Sequence, residues 1–233
     1  MQRVTTKFIQ SFVLAIFLIF AITQKVLAAD SDSPRVFGEI SITTNEIERG
    51  ISVTNNSFGM MPSFGYQWAH AELGLYGSNV QYPDNLENLN LRPFAWFDFV
   101  FSPTVDLKAR YDMNAYFPSV LRNGNLYTLD LNIQNHHVVA VQDTNWYGTT
   151  TIAYWLGYVH RWNAFGDVDY KVDLGYQMVY SINYQSFFAG QVGFAYKYSD
   201  FDLSLMFAAN SNSTQFLNNT ANPALFFEIS TKF

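Results

Sequence analysis

Four histidines, His70, His136, His137 and His160, are the side chains best suited to acid–base or nucleophilic chemistry. Such chemistry needs a histidine beside a serine, with an acid to orient the ring. No Gly-x-Ser-x-Gly or His-Glu-x-x-His motif occurs. The His136-His137 doublet could hold a metal ion, but adjacent strand residues point to opposite faces, so a wet turn is the simpler account. There are no cysteines, which excludes a disulfide scaffold, a thiolate metal site and a cysteine nucleophile. The sequence therefore predicts no enzyme, no bound metal and no organic cofactor. A hydrolase or acyltransferase assembled from distant strands ranks last among the readings.

The remaining polar chemistry lies in charges that recur at every second position. The clearest segment is 105–117, where Val105, Leu107, Ala109, Tyr111, Met113, Ala115 and Phe117 alternate with Asp106, Lys108, Arg110, Asp112, Asn114 and Tyr116. A strand sends successive side chains to opposite faces, whereas a helix would scatter both sets. The same period recurs at 127–134, 168–176 and 201–208, and more weakly at 36–43, 63–70, 72–79, 93–101, 150–160 and 191–197. Residues 138–142 and 225–233 complete twelve expected strands. Their connections alternate between short and long, the rhythm of an outer-membrane barrel with short periplasmic turns and longer outer loops.

The composition fits this reading. The chain has 233 residues, a formal charge of -6, 14% charged and 18% aromatic residues, and a mean hydropathy of -0.02. That balance is too polar for a helical membrane bundle, too aromatic for disorder and too acidic for a nucleic-acid surface. A secreted β-sandwich or lipocalin-like barrel would also alternate, but twelve strands around one apolar core would leave a very wide interior to fill. A transmembrane barrel reverses the pattern, with apolar residues to lipid and polar ones to the lumen. Tyrosines and tryptophans near strand ends, such as Tyr66, Trp68, Tyr158 and Trp162, are expected in interfacial girdles.

On the expected inner face lie Glu39, Glu72, Asp98, Asp106, Asp112, Asp130, Asp169, Asp173, Asp202 and Glu228, with Arg92, Lys108, Arg110, Lys171, Lys197 and Lys232. An isolated charge in a narrow lumen is costly, so some of these must pair. Pairing could plug a closed structural or surface-interaction barrel. It could equally line a wet path whose negative excess favours cations. The sequence leaves both open.

Residues 1–28 read as a cleaved signal peptide: Arg3 and Lys7 precede an apolar run from Phe12 to Ile22, and Val26 and Ala28 fit the cleavage pattern. The run is shorter than the roughly 20 residues of a membrane-spanning helix. Residues 29–233 then form a single barrel domain. Counted back from the end, Phe233, Thr231, Ile229, Phe227 and Leu225 share one face of the last strand. A terminal aromatic on such a strand is similar to the assembly signal of bacterial outer-membrane proteins, which marks Phe233 as the candidate signal for the barrel-assembly machinery.

Glu48-Arg49-Gly50-Ile51-Ser52 resembles the Arg-Gly-Ile-Ser stretch of the TorF family of porins, exported proteins that carry the Gcw_chp domain. Pro62-Ser63-Phe64-Gly65-Tyr66, Tyr76-Gly77-Ser78-Asn79-Val80, Tyr116-Phe117-Pro118 and the strand from Tyr127 to Leu131 resemble later family segments in the same order. Asn45-Glu46-Ile47 departs from the family's Asp-Tyr-x approach to the Arg-Gly pair. The resemblance implies an outer-membrane location and a pore-like role without naming a substrate. The expected function is passive diffusion of ions or small polar solutes, with a weak cation preference. The expected surroundings are outer-membrane lipid and lipopolysaccharide, with both termini periplasmic. Arg49 could reach into the lumen to hold an anion. The favoured alternative pairs Arg49 with a loop or wall carboxylate and uses Gly50 for a tight bend.

Overall fold

The computed structural model describes residues 34–84 and 86–233; the expected signal peptide lies outside them. Twelve strands form the wall. They are β1 (Arg35–Thr43), β2 (Gly59–Trp68), β3 (Ala71–Asn79), β4 (Glu87–Ser102), β5 (Val105–Pro118) and β6 (Gly124–Ile133). The second half comprises β7 (His136–Asp143), β8 (Ala153–Phe165), β9 (Val168–Val179), β10 (Phe187–Tyr198), β11 (Phe201–Asn210) and β12 (Ala224–Lys232). Each pairs antiparallel with its sequence neighbours, and β1 pairs with β12, so the sheet closes on itself.

The seam is in register from Glu39↔Lys232 to Thr43↔Glu228. It continues past the last strand through reciprocal backbone bonds between Phe233 and Gly38, at 2.8 and 2.9 Å. Closure matters because hydrocarbon offers no partner to an open edge.

All twelve strands expected from the alternation are present. Several extend further than the period revealed. β4 begins at Glu87 rather than 93, β2 at Gly59 rather than 63, and β10 at Phe187 rather than 191. In β2 and β10, Gly59, Pro62 and the Phe187-Phe188 pair interrupt the hydrophobic alternation while the backbone keeps its ladder; in β4 the alternation itself runs on, with Leu89 and Leu91 between Asn88, Asn90 and Arg92. At one end the connections 69–70, 103–104, 134–135, 166–167 and 199–200 are two-residue turns. Positive φ at Ala69, Gln134, Asn135, Gly166 and Ser199 lets these tight hairpins follow the strand twist. At the other end the connections are longer.

The wall is inverted relative to a soluble protein. Leu129, Leu156, Val192 and Leu205 point outward and are 42–52% exposed, while Asp112, Gln177 and Ser204 point inward and are buried. Apolar surface on this scale, wrapped around a closed sheet, belongs in lipid. Near the two-residue turns an outward ring ladder crosses four strands. His136 stacks on His160 at 4.2 Å, His160 on Trp162 at 5.0 Å, Trp162 on Tyr170 at 5.3 Å, and Tyr170 meets Phe194 at 4.7 Å. Rings with one wet and one apolar side suit the membrane interface.

Adjacent positions on β10 test the inversion. Val192→Arg places a charge on the lipid face and is expected to destabilise the barrel by about 2–4 kcal/mol. Gln191→Arg places the same charge in the lumen, where Gln191 already meets Asp173 at 3.3 Å, and is expected to change stability little. Urea unfolding in lipid vesicles compares the two; equal losses would contradict the assignment of faces.

Candidate functional site

The lumen narrows from the two-residue-turn end toward the long loops. The first space, of about 770 Å³, opens beside Arg35, Glu39, Gln67, Glu72, Trp96 and Lys232. Above it lies a chamber of about 550 Å³. Met61, Tyr76, Trp96, Arg110 and Glu228 line both spaces. Within the loop layer, a third space of only about 40 Å³ borders Glu48, Arg49, Tyr82, Arg122, Asp143 and Tyr147.

The roof of the chamber is the first long connection, residues 44–58, which folds into the barrel. Ile47–Glu48 and Ile51–Ser52 pair as a short hairpin. Arg49 and Gly50 form its turn, with φ of 50° and 77°. A Cβ on Gly50 would lie 2.6 Å from the Cβ of Ala189, so glycine is needed both for the backbone conformation and for the close approach to β10.

Both flanks of the hairpin are anchored by apolar burial. Ile51 is buried with Trp146, Phe187, Ala189 and Phe216. Val53 packs with Val80, Tyr82 and Tyr116. Ile47 lies against Met206, Ala208 and Phe226. Backbone bonds run from Ser52 N to Thr220 O at 2.6 Å and from Gln81 N to Val53 O at 2.8 Å. The Asn45 side chain accepts the Ser52 hydroxyl at 2.6 Å, and Glu46 accepts the Tyr76 hydroxyl at 2.8 Å as well as that of Ser78. Burial raises the Glu46 carboxyl above its ordinary range despite these two donors.

At the tip, charges alternate across the lumen. Arg92 on β4 meets Glu48 at 3.6 Å, Glu48 meets Arg49 at 3.4 Å, and Arg49 meets Asp143 on β7 at 3.9 Å. Arg49 also donates to Gln177 on β9 at 3.4 Å. Burial pushes the Glu48 carboxyl upward, but Arg92 and Arg49 together outweigh it and hold the group below its usual range. Arg49 therefore occupies the paired position, and Gly50 makes the bend.

The other sequence candidates sit on the inward face in consecutive rows. Asp98, Lys108 and Asp130 are register neighbours on β4, β5 and β6. Asp130 meets inward-facing His137 at 3.0 Å. Arg110 holds Asp112 through Nε at 2.8 Å and lies over the rings of Phe94 and Trp96 at 4.4 and 5.3 Å. Asp106 accepts from Asn132 at 2.7 Å. Toward the wide mouth, Glu39 meets Lys232 at 3.7 Å, and Asp202 is the register partner of Lys197. Lys171 on β9 faces Arg161 in register. Glu72 lines the lower space, and Glu228 lines both the lower space and the chamber.

Sequence reasoning missed several partners. Arg161, which binds Asp169 at 2.6 Å and reaches Asp202 at 3.6 Å, lay beyond the expected end of its strand. Continued alternation through Trp162 was the available signal. Asp143 lay one residue past the expected end of its strand at Gln142, and Glu46 and Glu48 were not assigned roles because connections carry no period. The histidines divide between the two faces: His137 points inward, whereas His136 and His160 stack on the outward face, His136 beside the Tyr158 hydroxyl at 2.8 Å and His160 donating to the Asn135 carbonyl at 2.8 Å.

A second buried charge set ties the long loops together. Arg122 binds Asp84 at 2.7 Å and the fully buried Glu87, with its guanidinium 4.0 Å from the Tyr82 ring centre. Burial acts to lower the Arg122 pKa, but Asp84 and Glu87 raise it overall.

No family model and no curated protein matches the chain. Solved structures do. A membrane protein from a study of in-meso crystallization overlays with a TM-score of 0.54 at 9% identity, covering 84% of this chain and 83% of its own. LpxR from Salmonella typhimurium gives 0.43 at 11% identity, over 84% of this chain and 99% of that one. The translocator domain of the autotransporter NalP from Neisseria meningitidis gives 0.41 at 9% identity, over 98% and 97%. The closed twelve-stranded wall with its apolar exterior is that of a bacterial outer-membrane β-barrel.

The loop latch yields a test. Arg122→Ala strands Glu87 without its partner and is expected to cost about 3–5 kcal/mol. Arg122→Ala combined with Glu87→Leu is expected to recover much of that loss, because the fully buried carboxylate is then gone and the remaining partner, Asp84, has a side chain 38% exposed and can be hydrated. Urea unfolding of the single and double variants measures the difference. If the double variant were less stable than the single one, the burial argument would fail.

Proposed function

We propose that the barrel is an outer-membrane channel for passive diffusion of ions or small polar solutes, with a weak preference for cations. The observation that carries this reading is the charged, hollow interior: two spaces of about 770 and 550 Å³ share lining residues and lead from the wide mouth to the hairpin tip. A closed structural barrel has no need of such a hollow, and packed side chains could fill it.

The sign follows from the chamber. Glu46, Glu48, Asp112, Asp130, Asp173 and Glu228 face it against Arg49, Arg92 and Arg110, six carboxylates to three guanidiniums. Pairing within the set keeps the excess modest, and a modest excess gives weak selectivity. The resemblance of Glu48-Arg49-Gly50-Ile51-Ser52 to the TorF porins supports the same role. The even strand number places Pro34 and Phe233 at one end, which we assign to the periplasm. The longer loops then face outward among lipopolysaccharide, and the last strand with Phe233 serves the barrel-assembly machinery.

Planar-bilayer recordings in a salt gradient test the reading. Folded protein is expected to give stepwise openings and a reversal potential that favours cations. Asp130→Asn with Asp173→Asn should move that potential toward zero. Absence of openings at every voltage and salt concentration would favour the closed structural barrel instead.

A further inference from the structure

We infer that the passage is limited to water and small inorganic ions, and that the limit is set by the Glu48–Arg49 tip rather than by the wall. This inference rests on the channel reading and narrows its solute class. The wall alone leaves ample room, since the two lower spaces are about 770 and 550 Å³. Beyond the tip, the space bounded by Glu48, Arg49, Tyr82, Arg122, Asp143 and Tyr147 is about 40 Å³. A single water needs at least about 10–15 Å³ measured this way, so the space holds on the order of three waters. Sugars and free amino acids are larger than that. A partly hydrated alkali cation is not.

The tip is not built to swing aside. Ile51 and Val53 fix one arm to two different apolar clusters, and Ile47 fixes the other arm to a third. Withdrawal of the hairpin would expose all three apolar side chains and break the Ser52–Thr220 and Gln81–Val53 backbone bonds together. Such coupled losses oppose small excursions under voltage. The tip charges also balance locally, Glu48 and Asp143 against Arg49 and Arg92. They offer a crossing ion paired oxygen and nitrogen groups in place of part of its water shell, without holding it tightly. The narrow point therefore sorts by size, and the chamber below sorts by sign.

Two assays on the same folded, full-length preparation separate this inference from the channel reading. Planar bilayers report ion current, and proteoliposome swelling reports uptake of glucose and glycine. Current without swelling is expected for the wild type. Glu48→Ala with Arg49→Ala removes the tip side chains; it should raise single-channel conductance on the order of twofold and allow swelling in both solutes. Wild-type swelling as fast as that of the tip variant would overturn the size limit while leaving a channel. Absence of current from both proteins would remove the channel itself, and the inference with it. If the double variant does not fold, Arg49→Cys supplies the test, because the chain has no cysteine of its own. Modification with a bulky thiosulfonate should abolish most of the current. An unchanged current after complete labelling would show that ions bypass the tip.

Discussion

Hydrocarbon supplies no hydrogen-bond partner, and this constraint governs the molecule. Every backbone amide in the wall must be satisfied by another strand. The antiparallel ring meets that demand by pairing β1 with β12 and by extending the seam to Phe233. Once the ring is closed, the strand period leaves no freedom: each residue faces either lipid or lumen. The apolar character of Leu129, Leu156 and Val192 and the charge of Asp112, Asp130 and Asp173 are thus consequences of position on one continuous ladder.

Closure creates a second problem inside. The lumen has no single hydrophobic core, and its charges are partly withdrawn from bulk water. Removing one member of a buried pair is costly, so the interior is stable only as a neutralised network. The path Arg92–Glu48–Arg49–Asp143 is one such network, and Arg110–Asp112 and Arg161–Asp169 are others. Apolar burial is concentrated at the long-loop end. There Trp146, Phe187 and Phe216 close over Ile51. The two kinds of stabilisation meet at the hairpin, whose arms are held by apolar contacts and whose tip is held by charge.

That division explains what could be read from the sequence. Period-two patterning is imposed by the lipid face at every turn of the pleat, so all twelve strands were legible, and 105–117 matched its observed strand within one residue. The sixteen inward charges followed from the same rule. The start of β2 was lost where Gly59 and Pro62 interrupt the pattern, because backbone pairing continues there without a matching side-chain signal, whereas the start of β4 carried its signal in Leu89 and Leu91. The inward hairpin was not legible. Its contacts join residues far apart in the chain, such as Arg49 with Gln177 and Ser52 with Thr220. Only the Arg49-Gly50 pair stood out, because its conformation needs a particular residue type.

The low identity to a structurally similar membrane protein, 9% at a TM-score of 0.54, has a physical reading in these terms. Lipid fixes the polarity of the outer face, and pairing fixes the backbone, but many residues satisfy each. A wall can persist while its sequence drifts. Function must therefore be carried where a specific residue is required by a specific neighbour. In this chain the requirement is strongest at residues 45–53, where glycine is needed against Ala189, Asn45 against Ser52, and Arg49 against Asp143 and Gln177. The wall makes a hollow of nearly generic width, and the segment folded into it gives the interior of this chain its particular shape and charge.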